Sequence, residues 1–247
     1  MEDMLANLTG PLGIRDCGAV RLVIFNRPEK RNALTAEMRR AFAAALRDAS
    51  DAEGVHAVIV TGTGGTFCAG IDLGELRTIG TQPRVRPNPG EAARASKKPL
   101  IAAVDGFCIT GGLEIALSCS FIVASDRAKF TDTHARVGGF PSWGLSALLP
   151  RAIGVRRARQ MALTGAPIDA PTALAWGLVN EITTPEQLLP RCLEIASTAD
   201  QCNRESLRRQ FELLDRNEGE PLGTALANES AESESWIAHV AQPRLTT

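Results

Sequence analysis

Four short apolar runs set the architecture open to this chain: Val20–Phe25 (VRLVIF), residues 57–62 (AVIVTG), residues 100–107 (LIAAVDGF) and residues 120–126 (SFIVASD). They are short, rich in β-branched or aromatic residues, and read as strands, with AVIVTG apolar enough for burial on both faces. Between them lie stretches of helical period. After Thr35, a candidate cap, Met38, Phe42, Ala45 and Leu46 fall at i, i+4, i+7 and i+8 on one helical face. A second helix follows Gly111 and Gly112. Strand and helix in alternation predict a parallel or mixed sheet with crossover helices. From Gly144 onward the pattern is mostly helical: 144–163, a segment capped by Asp169, then 185–199, 203–215 and 221–240, interrupted by LVNEI at 178–182. This divides the chain into an α/β core, residues 1–185, and a helical C-terminal region, residues 186–247. Residues 77–97, rich in Pro, Gly and Arg, read as a mobile surface loop.

Composition narrows the function classes. The chain has 27 Lys and Arg against 28 Asp and Glu, a net charge of −1, so nothing recommends nucleic acid or an anionic membrane as a partner. No window approaches the roughly eighteen apolar residues of a membrane span. The acidic start MEDMLANLTG lacks the basic and apolar regions of a signal peptide. The six cysteines contain no C-x-x-C pair and read as reduced thiols of a cytoplasmic protein. His56, His134 and His239 are too scattered for metal spacing. The stretch GTGGTF follows a strand but has Phe67 where a dinucleotide fingerprint needs its third glycine.

Two glycine-bearing strand ends remain, FCAGIDL (67–73) and ITGGLE (109–114). Each leads into a helix, whose first N–H groups are unpaired and lie at the positive end of its dipole. Two such ends side by side could aim two backbone N–H groups at one oxygen, an oxyanion hole, in which a donor is worth about 2.7–4 kcal/mol. Glu114 is the misfit here. It stands among Leu113, Ile115, Ala116 and Leu117, and carboxylates are almost never buried unless paired. A helix-dipole gain of about 0.3–1 kcal/mol would not offset that burial. Glu114 is therefore a candidate catalytic residue.

The blocks FNRPEKRNALT (25–35), GTFCAGIDL (65–73), VDGFCITGGLEIALSCSFIVASDRAKFTDTHARVGGFP (104–141) and LTGAPIDAPTALAWGLVNEI (163–182) are collinear. Together they resemble the enoyl-CoA hydratase/isomerase, or crotonase, family. The resemblance implies a crotonase-like α/β fold, a repeated ββα core with a helical C-terminal region used for oligomerisation as a homotrimer or dimer of trimers. It implies an acyl-CoA substrate of the kind met in fatty acid metabolism. No metal or redox cofactor is called for, coenzyme A being part of the substrate. The oxyanion donors would be the N–H groups of Ile71 and Gly111. Coenzyme A would lie along Arg27, Lys30, Arg31, Ala33, Ala69, Asp72 and Leu73, with Asp72 also a structural hydrogen-bonding group.

Glu114 falls on the family's first catalytic glutamate. The second glutamate position holds His134, whose imidazole can give and take a proton near neutral pH. Thr110 replaces the first of three glycines, and Trp143 brings a large ring to the acyl pocket. The implied activity is hydration of a 2-enoyl-CoA to a 3-hydroxyacyl-CoA, with Glu114 and His134 as the catalytic pair. The alternatives are an isomerase, decarboxylase or hydrolase of a CoA thioester, or an inactive acyl-CoA-binding homologue.

Overall fold

Each central strand of the sheet is followed at once by a second, shorter strand that leaves it for another sheet. The computed structural model describes residues 2–79 and 86–241. Its strands are β1 (Leu12–Cys17), β2 (Val20–Phe25), β3 (Ala57–Gly62), β4 (Thr66–Cys68), β5 (Leu100–Val104), β6 (Phe107–Ile109), β7 (Phe121–Ser125), β8 (Lys129–Thr131), β9 (Ile168–Asp169) and β10 (Glu181–Thr183). Among the described residues one sheet runs β1-β2-β3-β5-β7-β10, antiparallel between β1 and β2 and parallel beyond. The other runs β4-β6-β8-β9, parallel until the last pair. The pairs β3–β4, β5–β6 and β7–β8 are thus three copies of one strand-turn-strand unit. Their turns stack closely: a Cβ on Gly106 would lie 1.8 Å from the Gly65 carbonyl oxygen.

The helices are α1 (Glu2–Leu5), α2 (Ala36–Asp51), α3 (Leu73–Ile79), α4 (Pro89–Arg94), α5 (Gly111–Leu117), α6 (Leu145–Ile153), α7 (Val155–Thr164), α8 (Ala170–Trp176), α9 (Pro185–Ser197), α10 (Arg204–Asn217) and α11 (Leu222–Ala241). Thr35 caps α2 by accepting from Met38 N at 3.2 Å, and Asp169 caps α8 by accepting from Thr172 N at 3.0 Å. Met38, Phe42, Ala45 and Leu46 are all buried, as their spacing predicts.

Why the long strands are apolar throughout is visible in the packing. Val23, Phe25, Val58, Val60, Ala102 and Val104 face one core with Phe67, Cys68, Cys108 and Phe130 of the second sheet. Leu22, Ile24, Ile59, Ile101 and Val123 face the other way, onto Leu188, Leu189, Cys192 and Ala196 of α9. That second face corrects the expected boundary after 185. The chain forms one compact unit up to Asp200 and another from Gln201 onward, because α9 is needed to cover the sheet.

The loop expected over 77–97 is also partly ordered. Helix α3 runs to Ile79, and α4 begins at Pro89 behind a capping box. Asn88 Oδ1 accepts from Glu91 N at 2.9 Å, and Glu91 Oε2 accepts from Asn88 N at 3.0 Å. Residues 80–85 lie outside the described residues. The six cysteines are free thiols. Burial pushes Cys68, Cys119 and Cys192 up to about 12, so they stay protonated and act as small apolar groups. Among the described residues no helix is long and apolar enough to cross a membrane.

Candidate active site

The second sheet aligns three strand ends. Cys68 pairs with Cys108, and Ile109 with Thr131, so the segments leaving β4, β6 and β8 emerge side by side. These segments carry Ile71, Gly111 with Glu114, and His134. Residues far apart in sequence meet here because β4, β6 and β8 are neighbours.

The first two segments touch through their backbones. Gly70 has φ +89°, and a Cβ on it would lie 3.0 Å from Gly111 N. A Cβ on Gly111 would in turn lie 3.2 Å from Gly70 Cα and 2.8 Å from the Trp143 ring. Leu34 N donates to Gly70 O at 2.7 Å, and Asp72 N donates to Leu34 O at 3.1 Å. That parallel bridge uses the groups on either side of Ile71 and turns the Ile71 N–H to the opposite side. Gly111 N is the first donor of α5 and has no carbonyl one turn behind it. Both expected oxyanion donors therefore sit at adjacent strand ends with their N–H groups outside the backbone ladder.

Thr110 shows what the substituted glycine does. It has φ +53° and ψ −107°, a conformation that strains any residue with a Cβ by about 1–3 kcal/mol. Thr110 N donates to Thr131 O at 2.9 Å. Its hydroxyl lies 2.6 Å from the Thr133 hydroxyl and accepts from Thr133 N at 3.2 Å. These bonds hold the strained turn and fasten it to the segment that carries His134.

Glu114 is 2% exposed, and its two oxygens face different neighbours. Oε1 accepts backbone N–H groups of Trp143 at 2.7 Å, Ser142 at 3.2 Å and Leu145 at 3.3 Å. Oε2 lies 3.7 Å from His134 Nε2. The sequence suggests a purely apolar wall, and the structure adds this turn of donors ahead of α6. Peptide N–H groups leave no signature in a side-chain pattern, so they could not be read in advance.

His134 is also buried. Its Nδ1 lies 2.8 Å from Asp132 Oδ1, and its backbone N donates to the same oxygen at 3.0 Å. Sequence reasoning missed Asp132. The signal available was its spacing: an Asp two residues before another residue readily accepts that residue's N–H.

The residues expected to hold coenzyme A divide into two groups. Arg27 turns inward, donating to Asp72 Oδ2 at 2.6 Å and to Ala33 O at 3.0 Å. Asp72 also accepts from Gly74 N and Glu75 N at the start of α3. The hydrogen bond from Arg27, with those of the α3 amides, holds the Asp72 carboxyl below its ordinary value. Its structural part is thus evident. Lys30, Arg31 and Leu73 are exposed, while Ala33 and Ala69 are half-buried. Ala69 N donates to Arg31 O at 3.0 Å, so the Arg31 turn lies against the segment leading to Ile71.

A model of the enoyl-CoA hydratase/isomerase family matches residues 16–242. The chain belongs to that family. It is 41% identical over 184 residues to a probable peroxisomal enoyl-CoA hydratase of Arabidopsis thaliana, covering 74% of this chain and 69% of the relative. A short-chain-enoyl-CoA hydratase of Clostridium acetobutylicum is 33% identical over 219 residues, covering 86% of this chain and 84% of that one. Among solved structures, an enoyl-CoA hydratase from Mycobacterium tuberculosis superposes with a TM-score of 0.78 at 39% identity, covering 91% of this chain and 98% of that one. One from Bacillus anthracis gives 0.86 at 28% identity, covering 96% and 93%. These likenesses establish the crotonase fold for this family member.

Proposed function

We propose that this protein hydrates a 2-enoyl-CoA to a 3-hydroxyacyl-CoA. The observation that carries the reading is the approach of Glu114 Oε2 and His134 Nε2 to 3.7 Å beside the paired strand ends of Ile71 and Gly111. That separation is too long for a direct hydrogen bond. It still lets one water oxygen lie within about 2.8 Å of both atoms.

In this reading the N–H groups of Ile71 and Gly111 polarise the thioester carbonyl and stabilise the enolate that forms as hydroxide adds to the β-carbon. Glu114 and His134 share the water between them. One takes its proton, and a proton is returned to the α-carbon. Arg27 and Asp72 shape the turn along which coenzyme A lies, and the exposed Lys30 and Arg31 meet its phosphates. The names of the relatives, enoyl-CoA hydratases from plants and bacteria, support this chemistry.

The deciding experiment is incubation with crotonyl-CoA, following loss of the enoyl-thioester absorbance and identifying the product by mass spectrometry. A product heavier by one water is expected. An isomer of unchanged mass, or no turnover despite binding, would overturn the reading.

The helices after Gln201 expose Leu214, Leu222, Leu226 and Ile237, apolar surface that a second copy would cover in a homotrimer or a dimer of trimers. Trp236 of α11 is half-buried and packs under Arg209, 5.6 Å from the guanidinium carbon to the ring centre. Light scattering at micromolar concentration should give a trimer or hexamer, and a monomer would refute it. The free cysteines support a cytoplasmic setting, which cell fractionation tests.

A further inference from the structure

Asp132 is a buried carboxylate outside the residues assigned above. Its side chain is 5% exposed, and its ion-pair partner among the described residues is His134, not an arginine or a lysine. Burying a carboxylate costs several kcal/mol unless its oxygens are well satisfied. Here one oxygen, Oδ1, takes both N–H groups that His134 can turn toward it, the backbone N at 3.0 Å and the ring Nδ1 at 2.8 Å. Burial raises the Asp132 carboxyl, and the hydrogen bonds from His134 outweigh it and hold the group below its ordinary value.

An ionised carboxylate only accepts hydrogen bonds. In the short contact between Oδ1 and Nδ1 the ring nitrogen must therefore carry the hydrogen. A neutral imidazole has one N–H, so the lone pair is left on Nε2, the atom 3.7 Å from Glu114 Oε2. The segment has little freedom to do otherwise. Thr131 Oγ1 donates to Gly165 O at 3.0 Å on one side of Asp132, and Thr133 N donates to Thr110 Oγ1 at 3.2 Å on the other.

We infer that Asp132 is a positioning residue. Its contact with Nδ1 fixes the ring of His134 and its Nδ1–H tautomer, so that Nε2 is the atom presented to the water shared with Glu114. This rests on the hydration reading for its catalytic consequence, and on geometry alone for the tautomer. A purely structural role would be confined to the turn, where Oδ1 holds the His134 backbone N–H. An asparagine oxygen supplies that bond equally well, without the negative charge that commits Nδ1 to being the donor.

The test uses full-length protein labelled with ¹⁵N-histidine. Long-range proton–nitrogen correlation reports which ring nitrogen carries hydrogen in each of His56, His134 and His239, and His134→Gln identifies the signal. The wild-type protein should show neutral His134 as the Nδ1–H form, and Asp132→Asn should lose that exclusive pattern. With crotonyl-CoA, Asp132→Asn should lower kcat by about 10²–10⁴-fold and leave KM essentially unchanged in protein that remains folded at the assay temperature.

Neutral His134 in the Nε2–H form in the wild type overturns the inference. So does a folded Asp132→Asn protein with undiminished kcat. Should Asp132→Asn fail to fold, the wild-type spectrum still decides. Should the wild type not hydrate crotonyl-CoA, the proposed function fails while the tautomer remains measured on its own.

Discussion

Glu114 is held by its two oxygens to different ends, and substitutions separate them. Gln can offer its carbonyl oxygen to the same N–H groups of Ser142, Trp143 and Leu145 that Oε1 accepts. It cannot take a proton from water. Glu114→Gln should therefore keep the fold and the affinity for acetoacetyl-CoA while turnover falls by about 10²–10⁴-fold. Glu114→Ala removes the acceptor and leaves the buried N–H groups of Trp143 and Leu145 unpaired, which should lower stability by about 1–3 kcal/mol for each. Urea unfolding compared with crotonyl-CoA turnover checks both, and equal loss of stability in the two variants would mean that the charge, not the hydrogen bonds, supports the turn. The importance of Glu114 was legible because a carboxylate stood alone in an apolar helix. Asp132 was legible only as an acceptor for a residue two places on: its neighbours Thr131 and Thr133 are polar, and nothing in the pattern FTDTHA says that the segment is buried.

At the scale of elements, continuous apolar runs made the parallel strands readable, whereas α4 was hidden by its composition. PNPGEAAR has the residues of a loop, yet Asn88 and Glu91 cap each other and Pro89 fits the first helical turn, where its missing N–H costs nothing. Its small residues are there for contact. A Cβ on Gly90 would lie 2.2 Å from the Trp143 carbonyl oxygen, so α4 packs directly on the turn that donates to Glu114. Asn88→Ala should cost about 0.5–2 kcal/mol through loss of the cap, seen as a lower urea midpoint. Gly90→Val should in addition lower turnover, because α4 must move away from Trp143. Full activity in Gly90→Val would show that the turn holds Glu114 without α4 behind it. Helix α5 meets β4 as closely, with a Cβ on Gly112 placed 2.2 Å from the Cys68 carbonyl oxygen. The glycines of ITGGLE thus serve packing as well as the site, a second use that a motif reading does not distinguish from the first.

For the whole molecule, the ends of the paired sheets depend on charge as well as apolar packing. Asp105 lies in the turn between β5 and β6, 11% exposed at its side chain. It accepts from Ser125 Oγ at 2.7 Å and from Arg127 through both oxygens, at 2.7 and 2.5 Å. Three consecutive strands, β5, β6 and β7, are joined at this point. Burial raises the Asp105 carboxyl, but Arg127 and Ser125 together hold it below its ordinary value. A carboxyl depressed in the folded state adds stability that is fully present above its unfolded value, about 3.9. That contribution disappears as pH falls through the lower folded value. Asp72 and Asp132 are depressed in the same direction and act in the same window. Stability should therefore fall as pH drops below about 4. Asp105→Asn keeps the shape and removes the titrating group. Its urea midpoint should lie below that of the wild type at pH 5, and the two should converge at a second, acid pH below about 4, where the wild type's advantage is lost as its Asp105 becomes protonated. A gap of constant size at both pH values would mean that Asp105 contributes through its hydrogen bonds alone, and that acid unfolding begins at another carboxylate.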